Sequence, residues 1–225
     1  MNRILIIAPH ADDEILGCGG TIAKYVHQGA DVFIIIATDA SKSDSTLFSE
    51  SGIAIVRKEA IEAHKLLGVK ETFFLDFPAP ALNAFPEYKI SLALSEIIKN
   101  IRPTHLLLPH PCDLHQDHKA IYRSAIVAAR PIGHLKIGNV FCYETLSETE
   151  WAPVAANNTF VPNLFIDVSD HFDKKLKAMR CYESQLKESP NSRSLDAISA
   201  LATLRGATIG VMKAEAFFIE RQIVL

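Results

Sequence analysis

Short apolar runs alternate along this chain with longer stretches of helical period. Ile4–Ala8 and Val32–Ala37 read as buried strands, and Thr72–Leu75 and Thr104–Leu108 as two more. Between them, Ile15–Gln28 carries apolar residues at helical spacing and stops at Gly29. Ile53–Leu67 stops at Gly68, Glu87–Ile101 stops before Pro103, and Lys119–Arg130 follows the fourth strand. Four strand–helix units in succession predict an α/β protein with a Rossmann-like, doubly wound, mostly parallel sheet. Further on, Asn139–Tyr143, Leu164–Val168 and Ala216–Val224 read as strands, and Ser169–Gln185 and Leu195–Lys213 as helices. Trp151–Pro162 and Lys187–Ser194 read as long surface loops. No repeat, low-complexity segment or linker divides the chain, so one domain over residues 1–225 is expected.

Composition narrows the class without naming a function. The 225 residues are 48% apolar and 22% charged, with a net charge of −3, which is globular and offers no basic surface for nucleic acid. The four cysteines are scattered without a CxxC pair, as in a chain that needs no disulfide framework, and read as small buried apolar residues. No apolar run is long enough to span a bilayer. The run after Arg3 ends in acids rather than small residues, unlike a secretory leader. A soluble, cytoplasmic protein is expected.

Parallel sheets bind ligands beyond the carboxyl ends of their strands. Pro9-His10-Ala11-Asp12-Asp13-Glu14 follows the first strand, Thr38-Asp39 the second and Asp76 the third. Pro109 to His118, with His115-Gln116-Asp117-His118, follows the fourth. Acids at a helix start are favourable by themselves, because the exposed N–H groups there attract negative charge. That does not account for His10. Imidazole and carboxylate groups after two strands of one sheet suit a metal with open positions, zinc or non-haem iron(II). A spare carboxylate can then act as base, and a spare histidine as oxyanion donor or acid.

Most remaining features have plain explanations. His27, His64, His134 and His171 fall on helices or surface loops, His105 reads as a hydrogen-bonded core histidine, and His110 as a partner behind the site. Gly17, Gly19 and Gly20 lie inside the first helix beyond the acids. That order is wrong for a dinucleotide loop, where acids would repel a pyrophosphate, and suits close helix packing instead. Cys112 is near the site, but no base accompanies it.

Pro9-His10-Ala11-Asp12-Asp13-Glu14 with Leu16-Gly17-Cys18-Gly19-Gly20-Thr21 resembles the PHPDDE-x-LG-x-GGT opening of the LmbE/PIG-L family of metal-dependent deacetylases. His115-Gln116-Asp117-His118 resembles the family's HxDH motif. Arg57-Lys58-Glu59-Ala60 with Leu67-Gly68-Val69, Asp76, and Leu204-Arg205-Gly206 through Ala214-Glu215-Ala216-Phe217 extend the resemblance over nearly the whole chain. It implies that His10, Asp13 and His118 bind the metal, zinc above all, and that Asp12 is the general base. It further implies that His115 stabilises the oxyanion or protonates the departing amine, with Asp117 orienting it, and that Arg57 and Asp76 touch the sugar. Ala11 replaces the family's usual proline, and Thr38-Asp39-Ala40 its Thr-x-Gly. The loop Asp39–Ser51 is therefore expected to differ in shape and to help choose the substrate.

The expected activity is removal of an N-acyl group, acetyl above all, from a small-molecule amino-sugar conjugate. Neither nucleic acid nor a membrane is an expected partner, and the resemblance is compatible with a homo-oligomer. A non-catalytic metal- or sugar-binding module on the same fold is one alternative; retention of Asp12 and His115 argues against it. A metal phosphohydrolase is another; the absence of an obvious phosphate cradle argues against it.

Overall fold

The computed structural model describes residues 2–44, 46–133, 137–155 and 158–224; His134 lies outside them. Seven strands form one sheet in the order β3 (Glu71–Pro78), β2 (Asp31–Asp39), β1 (Arg3–Ala8), β4 (His105–Pro109), β5 (Asn139–Tyr143), β7 (Ala214–Gln222), β6 (Leu164–Asp167). The first five are parallel, and β7 runs antiparallel between β5 and β6. This is the expected doubly wound α/β architecture with an antiparallel margin.

The central strands β1, β2, β4 and β5 are buried on both faces, and alternate residues feed two cores. Ile4, Ile6 and Ile34 pack with Ile15 and Ile22 of α1 (Asp13–His27) and with Ala60 and Leu67 of α2 (Glu50–Leu67). Leu5, Ile7 and Ile35 pack on the other face with Leu94 and Ile98 of α3 (Glu87–Ile101) and with Ile121 and Ala125 of α4 (Gln116–Ala128). The chain therefore winds outward from β1 over one face, then crosses to begin again at β4 on the other. The crevice beyond the carboxyl ends of β1 and β4 is the switch point, where side chains from two separate loops can meet.

Helix α1 lies close to the sheet, and its small residues are the reason. A Cβ on Gly17 would stand 2.4 Å from the Tyr143 ring, and one on Gly20 would stand 2.9 Å from Val168. Close packing, rather than nucleotide binding, accounts for that glycine run. A buried pair seals the same helix: Lys175 binds Glu215 at 2.5 Å, and Glu215 accepts the Gly20 and Thr21 N–H groups.

Two helices are shorter than their periodicity predicts. Instead of Ser169–Gln185, α5 spans Phe172–Arg180 after a 3-10 turn at Ser169–His171. The chain then tightens into turns as Tyr182 points inward to donate to Glu14. Instead of Leu195–Lys213, α6 spans Leu195–Ile209, because Gly210 takes a left-handed φ of 77° and caps it. That frees Ala214 and Glu215 to open β7. In the other direction, α4 begins at Gln116, before the expected Lys119, so Asp117 and His118 stand in its first turn. Two cysteines also depart from expectation: Cys18 and Cys142 are buried, whereas Cys112 and Cys181 are partly exposed. None of the helices among the described residues is long and apolar enough to cross a membrane.

Candidate metal centre

The two loops at the switch point meet as their placement predicts. His10 leaves β1, and Asp13 opens α1 three residues later. The His10 N–H donates to Asp13 Oδ2 at 2.9 Å, and its ring Nδ1 lies 3.3 Å from the same oxygen. From the β4 side, His118 Nε2 lies 3.2 Å from Asp13 Oδ2. One ligand atom from each of His10, Asp13 and His118 thus falls within 4.8 Å of the others.

This donor set fits a divalent cation. Asp13 Oδ1 and His118 Nε2 are buried and make no hydrogen bond, an arrangement that is costly without a partner. The outer nitrogens are already committed. His118 Nδ1 bonds Asp113 Oδ2 at 2.8 Å, and His10 Nε2 bonds Asp117 Oδ2 at 3.2 Å. Carboxylates behind both rings set their tautomers and turn the free nitrogens toward Asp13, as metal-site carboxylates do. His10, His115 and Asp117 also cluster closely enough to hold an ion. There, however, both Asp117 oxygens are already engaged, since Oδ1 accepts the Leu82 N–H and Oδ2 holds His10.

The charges follow from these contacts. Burial works against a charged His10, yet bonds to Asp117 and Asp13 outweigh it and raise its pKa to about 9. Burial likewise opposes ionisation of Asp13, but His118 and His10 hold it well below the usual carboxylate range. Burial opposes charge on His118 as well; Asp13 and Asp113 prevail and raise its pKa.

Asp12 stands beside this group in an unusual backbone state, φ 119° and ψ −28°, which costs energy in a residue other than glycine. Its N–H donates to Glu14 Oε2, while its carbonyl accepts the first amides of α1. Glu14 is itself buried and fixed, accepting from the Tyr182 hydroxyl at 2.5 Å and bonding His64 Nε2 at 3.0 Å. His64 lies on a helix, as expected, but it is a buried bracket with Thr72 Oγ1 on its other nitrogen at 2.8 Å rather than a residue without a special role. The Asp12 Oδ2 atom makes no hydrogen bond, and Arg193 Nη1 lies 3.3 Å away. Burial raises the Asp12 pKa to about 8, against the pull of Arg193.

His115 caps α4 with its ring: Nδ1 accepts the Asp117 N–H at 3.1 Å. Orientation of His115 thus comes from the backbone of Asp117, whereas the carboxylate of Asp117 serves His10. The proton of neutral His115 is left on Nε2, and burial lowers its pKa to about 4, with His10 adding to the effect.

A cavity of about 490 Å³ opens over His10, Asp12 and His115. Arg57 borders it, bridging Asp39 at 3.1 Å and Asp76, with its guanidinium over the Phe74 ring. Leu47 and Phe48 bring the Asp39–Ser51 loop into the wall.

Three contributors were not singled out by sequence reading. Arg193 reaches in from a segment that reads as a surface loop, and Ser147 holds its Nε at 2.8 Å. Asp113 rather than His110 supports His118; His110 packs against Phe160. Glu148 accepts the His115 N–H at 3.1 Å. Asp113 lies within the recognised loop, five residues before His118, and its position was the one available signal. His105 is hydrogen-bonded as expected, between Thr104 and Asn139, but it is half-buried at the start of β4 rather than in the core.

Residues 5–129 match the model of the family described as PIG-L, GlcNAc-PI de-N-acetylase. The chain is 32% identical over 194 residues to a diacetylchitobiose deacetylase of Thermococcus kodakarensis, covering 84% of this chain and 72% of that one. It is 26% identical over 239 residues to a 1D-myo-inositol 2-acetamido-2-deoxy-alpha-D-glucopyranoside deacetylase of a Mycobacterium species (strain JLS), covering 85% and 77%. The N,N'-diacetylchitobiose deacetylase structure from Pyrococcus horikoshii superposes with a TM-score of 0.78 at 26% identity, over 97% of this chain and 83% of that one.

Proposed function

Since the chain belongs to the PIG-L, GlcNAc-PI de-N-acetylase, family, we propose that it is a metal-dependent hydrolase that removes the N-acetyl group of an amino sugar or its conjugate. The whole chain, residues 1–225, acts as one such domain. The observation that carries this reading is the convergence of His10, Asp13 and His118, with two buried ligand atoms unpartnered, beside Asp12 at the mouth of a cavity.

His10, Asp13 and His118 would hold the metal, and the imidazole–carboxylate set suits zinc, with iron(II) as the other candidate. When bound, the metal supplies Lewis-acid chemistry, acidifying a water and polarising an amide carbonyl. Asp12 takes the proton of the attacking water. Arg193 holds its carboxylate in place, and the Glu14 carboxylate holds its backbone. His115 is neutral, with Nε2–H as its free donor, which favours the oxyanion role over that of acid. Asp12 then delivers the proton to the departing nitrogen, the C–N bond breaks, and acetate and the free amine leave. Arg57, with Asp76 and Asp39 on its guanidinium, positions the sugar end of the substrate.

The test is a mass-spectrometric screen of N-acylated amino sugars and their conjugates with zinc-loaded protein. Loss of one acetyl group is expected, and Asp12→Ala and His118→Ala each lower the rate by about 100-fold or more. Full activity in either variant on a confirmed substrate overturns the mechanism. Release of phosphate in place of acetate overturns the deacetylase reading.

A further inference from the structure

The cavity over the metal centre is walled mainly by apolar side chains. Leu47 and Phe48 come from the loop after β2, Ile53 and Val56 from α2, and Phe74 from β3. Leu47 is 74% exposed and Phe48 39% exposed. Large apolar groups gathered on one concave face mark a ligand surface more often than isolated ones do. A volume of about 490 Å³ also exceeds what an acetylated monosaccharide fills by itself.

The charges on that wall are the second observation. Arg57 is spent between two carboxylates, Asp39 and Asp76. Arg193 faces Asp12, and its Nε is taken by Ser147. Glu148 adds another carboxylate to the lining. Among the described residues, neither of the two arginines lining the cavity is left without an opposing carboxylate, so a phosphate or carboxylate on the substrate finds no uncompensated guanidinium there.

We propose that this site selects an uncharged amino-sugar conjugate with an apolar substituent, and discriminates against phosphorylated or carboxylated conjugates. The inference rests on the deacetylase reading and deepens it. The apolar group enters along Phe48 and Leu47, leaving water as it covers them. It belongs either to the aglycone or to an N-acyl chain longer than acetyl, and the two arms of the test separate these sources.

The test compares kcat/KM of zinc-loaded protein for the methyl glycoside, benzyl glycoside and 1-phosphate of N-acetylglucosamine, and for N-hexanoylglucosamine against N-acetylglucosamine. Burial of the added apolar surface is expected to favour the benzyl or the hexanoyl compound by about tenfold or more. The 1-phosphate is expected to be slower than the methyl glycoside. Phe48→Ser shrinks the apolar preference, and Asp39→Asn with Asp76→Asn raises the relative rate on the phosphate. Calorimetric binding of benzyl and methyl glycosides to Asp12→Asn protein reads the same order without turnover. Equal or inverted preferences, with acetate still released, overturn this inference and leave deacetylation standing. No acetate from any compound counts against deacetylation, and the binding order then decides the inference alone.

Discussion

Asp113 and His118 form a buried pair in which the carboxylate bonds the imidazole Nδ1 at 2.8 Å. Thr149 donates to the other oxygen of Asp113 at 2.6 Å, so the pair is tied to the segment after β5 as well as to the loop before α4. Loss of such a support usually lowers metal affinity by about 10- to 100-fold. Asp113→Asn is therefore expected to weaken zinc binding by that factor while the protein stays folded. Competition with a chromophoric chelator measures it, and unchanged affinity would sink the assignment of His118 as a ligand.

Arg193 holds the side chain of Asp12 by charge alone, at 3.3 Å. Its cation opposes the rise in the Asp12 pKa that burial imposes. Arg193→Met should move the acidic limb of the kcat/KM profile toward higher pH and lower the rate at neutrality. Arg193→Lys should recover part of both. A profile that keeps its limb in place argues against Asp12 as the base.

Metal-free protein carries a pH signature of its own. The folded pKa of His10, raised from 6.5 to about 9, lies above its unfolded value. The stability it contributes is complete below about 6.5 and disappears as pH climbs through about 9. Asp12, raised from 3.8 to about 8, acts in the same direction at lower pH, since the folded chain keeps a proton that the unfolded chain releases. His115, lowered to about 4, acts in the opposite sense but only below 6.5. The Tm of chelator-treated protein should thus fall between pH 6.5 and 9. The stabilisation by added zinc should grow over the same interval, because its ligands must shed protons. Scanning fluorimetry with and without zinc would show a rising chelated Tm if this account is wrong.

Gly17 tests the packing of α1. A methyl group there would meet the Tyr143 ring at 2.4 Å, and Tyr143 is fixed by its hydroxyl bond to the Ile7 carbonyl. Gly17→Ala should destabilise the fold by about 1–3 kcal/mol, the usual cost of overpacking. Urea unfolding measures this, and a neutral result would mean that α1 can shift away from the sheet.

Much of this protein is legible from its residues in order. Strand and helix periods are local, so the βα succession and the placement of His10, Asp13 and His118 beyond strand ends follow from the chain itself. Local periodicity overruns where a tertiary contact ends an element, as Tyr182 does after α5 when it turns in to Glu14. Gly210, by contrast, was a local stop signal within the tract Leu195–Lys213, and its left-handed φ ends α6 there.

Neighbouring residues alone specify the doubly wound fold, the two loops that carry His10, Asp13 and His118, and residue types that suit a metal. The supports behind them come from the packed chain: Asp113 behind His118, Asp117 behind His10, Arg193 opposite Asp12, and His64 with Tyr182 on Glu14. The physical reason is range. A helical or strand period is written in neighbours, whereas a hydrogen bond between distant segments depends on where the chain crosses the sheet. Many acids and arginines are equivalent in sequence, and burial at the switch point selects among them.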